Sequence, residues 1–231
     1  MEKLVYLVRE RASRDAVHLR GDVIGEVVPE MMDAGAQHVS VHITDDRVGI
    51  SGPMPCPAGE LPLRVAISLW LPAHDQRGEV EKLATGLGER VDGYLVTEAV
   101  YSEFGQRRGE PRDWDPGQRS PGVVTLALVH RNPLLDERTF REFWFGHQSP
   151  MSERMQPRLR YVRNSVVHPV TAGAPPIDGI VVESWESEEI VDDIVAFHNG
   201  DIENLTVMLD SVGTVFDMSR LRSIAMSEYL F

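Results

Sequence analysis

The sequence predicts an α+β fold: two ferredoxin-like β-α-β-β-α-β repeats in one chain, their sheets packed face to face. Three observations predict it. The chain has 231 residues, 42% of them hydrophobic, enough for a sizeable core. The periodic segments run β-α-β-β-α-β twice. The two halves also resemble each other as text. RVAISLW (64–70) lies opposite DGIVVESW (178–185), each ending in tryptophan, and LVTEAVYSEF (95–104) resembles SIAMSEYLF (223–231). A period near half the chain marks duplication. A four-stranded open sheet leaves one apolar face bare, and a second such sheet covers it.

In the first half, Leu4–Val8 is an apolar run of strand length. Val17–Met32 carries a mixed helical pattern, weakened by Gly21 and Gly25 and limited by Pro29. His38–Ile43 alternates, with the valines and Ile43 on one face and His38, Ser40 and His42 on the other. A Pro/Gly-rich loop, 51–61, leads to the strand Arg64–Leu71. Asp75–Leu87 reads as a helix stopped by Gly86 and Gly88, and Gly93–Tyr101 as the fourth strand. The first repeat is therefore 1–104. Residues 105–122, with their prolines and glycines and no apolar period, form a linker or a lid over a site. Trp114 in that stretch is read as covering an apolar surface or the mouth of a pocket.

The second repeat is 123–231. Val123–Val129, Leu159–Val167, Ile177–Trp185 and Arg222–Leu230 read as strands. Glu188–Phe197 is helical, stopped by His198, Asn199 and Gly200, and a further helix runs from Ile202 to Val212. The first helix of this half is the stretch DERTFREFWFGHQSP (136–150). Asp136 is an N-cap, and Phe140, Trp144 and His147 fall at i, i+4 and i+7 on one face. Gly146 and Pro150 are expected to end the helix beside His147.

The totals exclude several functions. A net charge of −13 argues against nucleic acid and anionic membrane as partners. The one cysteine, Cys56, permits no internal disulfide. MEKLVYLVRE lacks the features of a signal peptide, and no apolar run spans a bilayer, so a cytoplasmic protein is expected. His38 and His42 share a strand face but stand roughly 13 Å apart at ~3.3 Å per residue, too far to chelate one ion, so no metal is expected. No dinucleotide or phosphate-loop motif is present, and no cofactor is expected.

The second half resembles the EthD family of the dimeric α/β-barrel superfamily. The stretches that carry the resemblance are FREFWFGHQSP (140–150), RYVRNSVV (160–167), IDGIVVESW (177–185), FDMSR (216–220) and MSEYLF (226–231). The first half matches in layout only and lacks the aromatic-histidine helix, as a degenerate copy would. The resemblance implies a pseudo-dimeric α/β barrel whose pocket, between sheet and helices, holds a hydrophobic or aromatic molecule. Related families include polyketide cyclases, dehydratases, muconolactone isomerases and cofactor-free monooxygenases, and some EthD-like proteins are tied to degradation of aromatic and other foreign compounds.

The residues themselves suit proton transfer. His147 is the candidate general acid or base. Trp144 and Phe140 are candidate walls of the pocket, with Trp185 at the end of its strand. Tyr161 and Asn164 are candidate partners of a substrate oxygen, although alternation puts them on opposite faces. Asp178, before Gly179, is either a histidine-orienting carboxylate or a strand-start turn. The expected function is a cofactor-independent lyase, isomerase or cyclase acting on a small hydrophobic or aromatic carbonyl or phenolic compound. The alternative is a non-catalytic or stress-response protein that binds such a ligand. A haem protein with His147 as axial ligand is a weaker third. The chain is expected to act as a monomeric pseudo-dimer or as a homodimer of pseudo-dimers.

Overall fold

The computed structural model describes residues 1–11, 15–102 and 113–231. Eight antiparallel strands close into one barrel: β1 (Glu2–Arg9), β2 (Gln37–Ile43), β3 (Leu63–Leu71), β4 (Arg90–Ser102), β5 (Val123–Val129), β6 (Arg160–Pro169), β7 (Gly179–Trp185) and β8 (Arg222–Leu230). Around the barrel they run β1-β3-β2-β8-β5-β7-β6-β4. Each half therefore supplies four adjacent strands, in the order fourth, first, third, second. The strands expected to form two sheets packed face to face belong to one continuous barrel. Val41 pairs with Tyr229 where β2 meets β8, and Thr97 with Ser165 where β4 meets β6. Closure pairs the N–H and C=O groups that open edges would leave bare.

Alternation along each strand divides the side chains between two cores. Val5, Ala66, Val124, Leu126, Val182 and Met226 point inward and fill the barrel. Leu4, Tyr6, Val41 and Ile67 point outward and pack on the first-half helices through Leu19, Val28, Met31 and Val80. In the second half the outer layer is Ala127, Val129, Tyr161 and Val181 against Phe140, Trp144, Val215 and Phe216.

The helices are α1 (Ala16–Asp22), α2 (Val28–Asp33), α3 (Gly78–Thr85), α4 (Glu137–Phe143), α5 (Ser149–Met155), α6 (Glu188–Asp192) and α7 (Ile202–Val215). Neither expected proline stop occurs. α1 runs through a π turn, Val23–Val27, into α2, and α4 runs through a π turn, Trp144–Gln148, into α5. Pro29 and Pro150 then sit in the first turn of the following α segment. The wider turn shifts the hydrogen-bond ladder, so the missing proline N–H and the bulk of its ring are tolerated where a regular helix would break. The helix expected over 75–87 is shorter, Gly78–Thr85, after a 3-10 turn at His74–Gln76. The helix expected over 188–197 is α6 followed by a separate 3-10 turn, Ala196–His198.

Part of the expected linker, 105–112, lies outside the described residues. Its remainder runs beside β8, where Gly117 N–H donates to Leu230 O (2.9 Å) and Ser120 N–H to Glu228 O (2.8 Å). No described helix is long and apolar enough to cross a membrane.

Candidate functional site

A cavity of about 360 Å³ opens between the second-half sheet and the helices that cover it. Ala127 and Val129 of β5 and Val181 of β7 form its sheet wall. Trp144, Met208 and Val212 come from the helices, and the 3-10 turn contributes Phe197 and His198. The interior is mostly apolar with a few convergent polar groups, as ligand sites generally are.

The α4 entry matches the expectation from sequence. Asp136 Oδ1 accepts the Thr139 N–H at 2.7 Å and caps the helix. Phe140 and Trp144 then face inward, with ring centroids 5.2 Å apart. Beyond Trp144 the π turn rotates the helix surface. Ser149 N–H bonds to Trp144 O, five residues back, and the extra residue moves each later side chain around the axis. Gln148 is buried in His147's expected place, and His147 is exposed outside the cavity. Gln148 is held at both ends of its amide. Its Nε2 donates to Met208 Sδ (3.1 Å), and its Oε1 accepts from Ser211 Oγ, so it ties the π turn to α7.

The histidine in the cavity is His198, 3% exposed. Asn199 comes next in the left-handed conformation (φ 62°) and turns the chain toward α7. His198 Nδ1 lies 2.7 Å from Ile194 O. A carbonyl only accepts, so Nδ1 carries a proton, and Nε2 is the ring nitrogen left to exchange one. Nε2 has no hydrogen-bond partner among the described residues. Phe197 holds the turn in place by stacking on Trp185 at 4.1 Å.

The cavity also contains a buried ion pair. Arg158 Nη1 meets Glu183 Oε1 at 2.5 Å, and its Nη2 donates to Ser152 Oγ (2.9 Å) and pairs with Glu153 (3.2 Å). The guanidinium lies 4.1 Å from the centroid of the Tyr161 ring. Arg158 Nε is buried without a partner. Tyr161 OH and Ser149 Oγ are 3.0 Å apart, and burial raises the pKa of the phenol.

The structure thus brings together only part of the residue set expected from sequence. Trp144 and Tyr161 line the cavity. Phe140 packs behind Trp144 and Phe216. Trp185 lies one layer back beneath Phe197, its Nε1 donating to Thr125 Oγ1 (2.9 Å). Asn164 points into the barrel, where its Oδ1 accepts from Lys3 Nζ at 2.8 Å. Asp178 Oδ2 accepts the Arg131 N–H at 2.7 Å, just beyond the end of β5, and Asp178 does not line the cavity. Sequence reasoning missed His198, Arg158, Glu183 and Gln148. Arg158 and Glu183 carry no motif. His198 reads as a helix stop, and its place in the cavity arises from the packing of α7 on the π turn. No group of three or more metal-ligating side chains occurs among the described residues.

No family model and no curated protein matches the chain. Solved structures do match over nearly its whole length. An anthrone oxidase-like protein superposes with a TM-score of 0.59 at 12% identity, covering 99% of this chain and 92% of that one. A monooxygenase-like protein from Fusobacterium nucleatum gives 0.54 at 6% identity, covering 99% and 92%. Another, from Lactobacillus acidophilus NCFM, gives 0.52 at 10% identity, covering 99% and 94%. At such identities the likeness establishes the fold alone, a closed eight-stranded antiparallel barrel flanked by helices, and leaves chemistry to the site itself.

Proposed function

We propose that the cavity binds a small, largely apolar carbonyl or phenolic compound and that His198 moves a proton on it. The observation that carries this reading is the unpartnered Nε2 of a buried histidine whose tautomer is fixed by Ile194 O. Nε2 takes a proton from the carbon beside the carbonyl, or from the phenol. The electron pair left behind moves onto the substrate oxygen, and Arg158, its terminal nitrogens already held by Glu183, Glu153 and Ser152, offers its unpartnered Nε–H to that oxyanion. Return of the proton at a different atom completes an isomerisation or a cyclisation, and expulsion of a leaving group completes an elimination. The step needs no cofactor.

Anthrone is the probe of choice, because one structural neighbour is an anthrone oxidase-like protein and the ketone has an acidic CH₂ between two rings. Under anaerobic conditions the protein should accelerate exchange of that hydrogen for deuterium, read by NMR. His198→Asn keeps a donor for Ile194 O but removes the base, and should lower the exchange rate by about 10²–10⁴-fold. Exchange that persists in this variant contradicts the assignment. Binding of anthrone without any exchange in the wild type supports the alternative, a non-catalytic ligand-binding protein.

We further infer that 1–104 and 123–231 are diverged copies, the second closer to the EthD pattern. Three features support this. Both halves have the same strand order, both first helices contain a π turn, and both place glycine and proline alike, Gly25 with Pro29 and Gly146 with Pro150. In this alignment Val23 stands opposite Trp144 and Glu26 opposite His147.

A further inference from the structure

A second recess, of about 160 Å³, opens at one end of the barrel. It shares no lining residue with the cavity, although β5 serves both, turning Ala127 and Val129 to the cavity and Leu128 to the recess. Its floor is Leu7, Tyr94, Leu128 and Ile177, all from the apolar filling of the barrel. Arg9, Arg220, Arg222 and His130 surround it, with Glu60 beside Arg222.

The charged groups that line this recess are mostly cationic. Arg222 is paired with Glu60 at 2.5 Å. Arg9 and Arg90 share one carboxylate, Asp92, at 3.4 and 2.8 Å. Arg220 donates to Pro176 O (3.3 Å) and forms no ion pair among the described residues. Three guanidinium groups thus line the recess against one carboxylate, Glu60, while Asp92, Asp178 and Asp217 lie behind that lining, in a chain whose net charge is −13. His130 is buried (8% exposed), its Nδ1 is sealed from solvent, and neither ring nitrogen has a hydrogen-bond partner among the described residues. Burial and Arg220 push its pKa down to about 4, against the opposing pull of Asp178 and Asp217.

We propose that this recess binds a small aromatic monocarboxylate, its ring on the apolar floor and its carboxylate at Arg9 and Arg220. Guanidinium groups are matched to a carboxylate in geometry and charge. An apolar cavity of roughly 150 Å³ accepts a benzene ring, so the volume suits the body of such a ligand.

The test uses benzoate, its neutral analogue benzamide, and inorganic phosphate, with the thermal midpoint and the His130 ring ¹⁵N signals as readouts. Benzoate should raise the midpoint and move the His130 signals of the wild-type protein, and benzamide should do neither. Arg220→Gln, at an exposed position with a single hydrogen bond, should weaken benzoate at least about tenfold, equivalent to ~1.4 kcal/mol. Absence of a wild-type response at His130 overturns the proposal, as does an undiminished benzoate affinity in Arg220→Gln. Phosphate binding as tight as benzoate overturns the aromatic-carboxylate assignment, and so does an equal response to benzamide. The wild-type His130 signals keep the test independent of how the variant folds.

Discussion

The indole of Trp144 occupies the space that a side chain on residue 179 would need. A Cβ placed on Gly179 would lie 2.2 Å from Trp144 Cη2 and 3.0 Å from Cζ3. Glycine at the start of β7 therefore serves the inner wall of the cavity, because it leaves room for the six-membered ring of the indole beside the strand. Trp144 is 1% exposed and packed on Phe140, Phe145 and Phe216, so moving it away from residue 179 breaks those contacts. Gly179→Ala should destabilise the protein by about 1–3 kcal/mol through overpacking. Urea unfolding measures this, and an unchanged midpoint would show that the indole can move.

Glu228 lies inside the barrel between Arg160, to which it is paired, and His42 Nε2 at 3.1 Å. Burial alone would raise its pKa, but Arg160 and the His42 hydrogen bond prevail and hold the carboxyl at about 2. The folded-state value is thus depressed, so the group adds stability above its unfolded pKa, near 4.5, and that stability is lost as pH falls toward 2. Glu228→Ala leaves Arg160 and His42 buried beside Lys3 without their shared carboxylate and should cost about 3–5 kcal/mol at neutral pH. Chemical denaturation at pH 7 reads that loss.

His130 gives stability a second pH dependence, in a higher range. Its pKa falls from 6.5 to about 4 on folding, first through burial and then through Arg220. The unfolded chain takes up a proton that the folded one refuses, so stability should decline from near pH 6.5 and level off near pH 4. The loss is on the order of 3 kcal/mol. His130→Gln should flatten the curve in that window and leave the lower window of Glu228 in place. Thermal midpoints across pH 3–8 separate the two.

The strands were legible because alternation and β-branched runs report burial directly, as in Val123–Val129. Alternation also separated Tyr161, on the cavity side, from Asn164, inside the barrel. The helix phase was not legible. The i, i+4, i+7 reading assumes 3.6 residues per turn throughout, and one π turn at Trp144–Gln148 moves every later residue around the axis. Pro150, read as a stop, marks the point where the helix resumes its α form. His198 was hidden for another reason. Its approach to Trp144 depends on α7 folding back onto the π turn through Gln148, Met208 and Ser211, contacts 60 or more residues apart in the chain.

On the proposed mechanism the base sits in the cavity, at His198, and the exposed His147 takes no part. Anaerobic deuterium exchange of anthrone, run in parallel on His147→Ala and His198→Asn, tests this most directly. His147→Ala should exchange at the wild-type rate with a stability change within about 0.5 kcal/mol, as for exposed positions generally. His198→Asn should fall by at least about 10²-fold. Loss of exchange in His147→Ala, with His198→Asn still active, would contradict the mechanism.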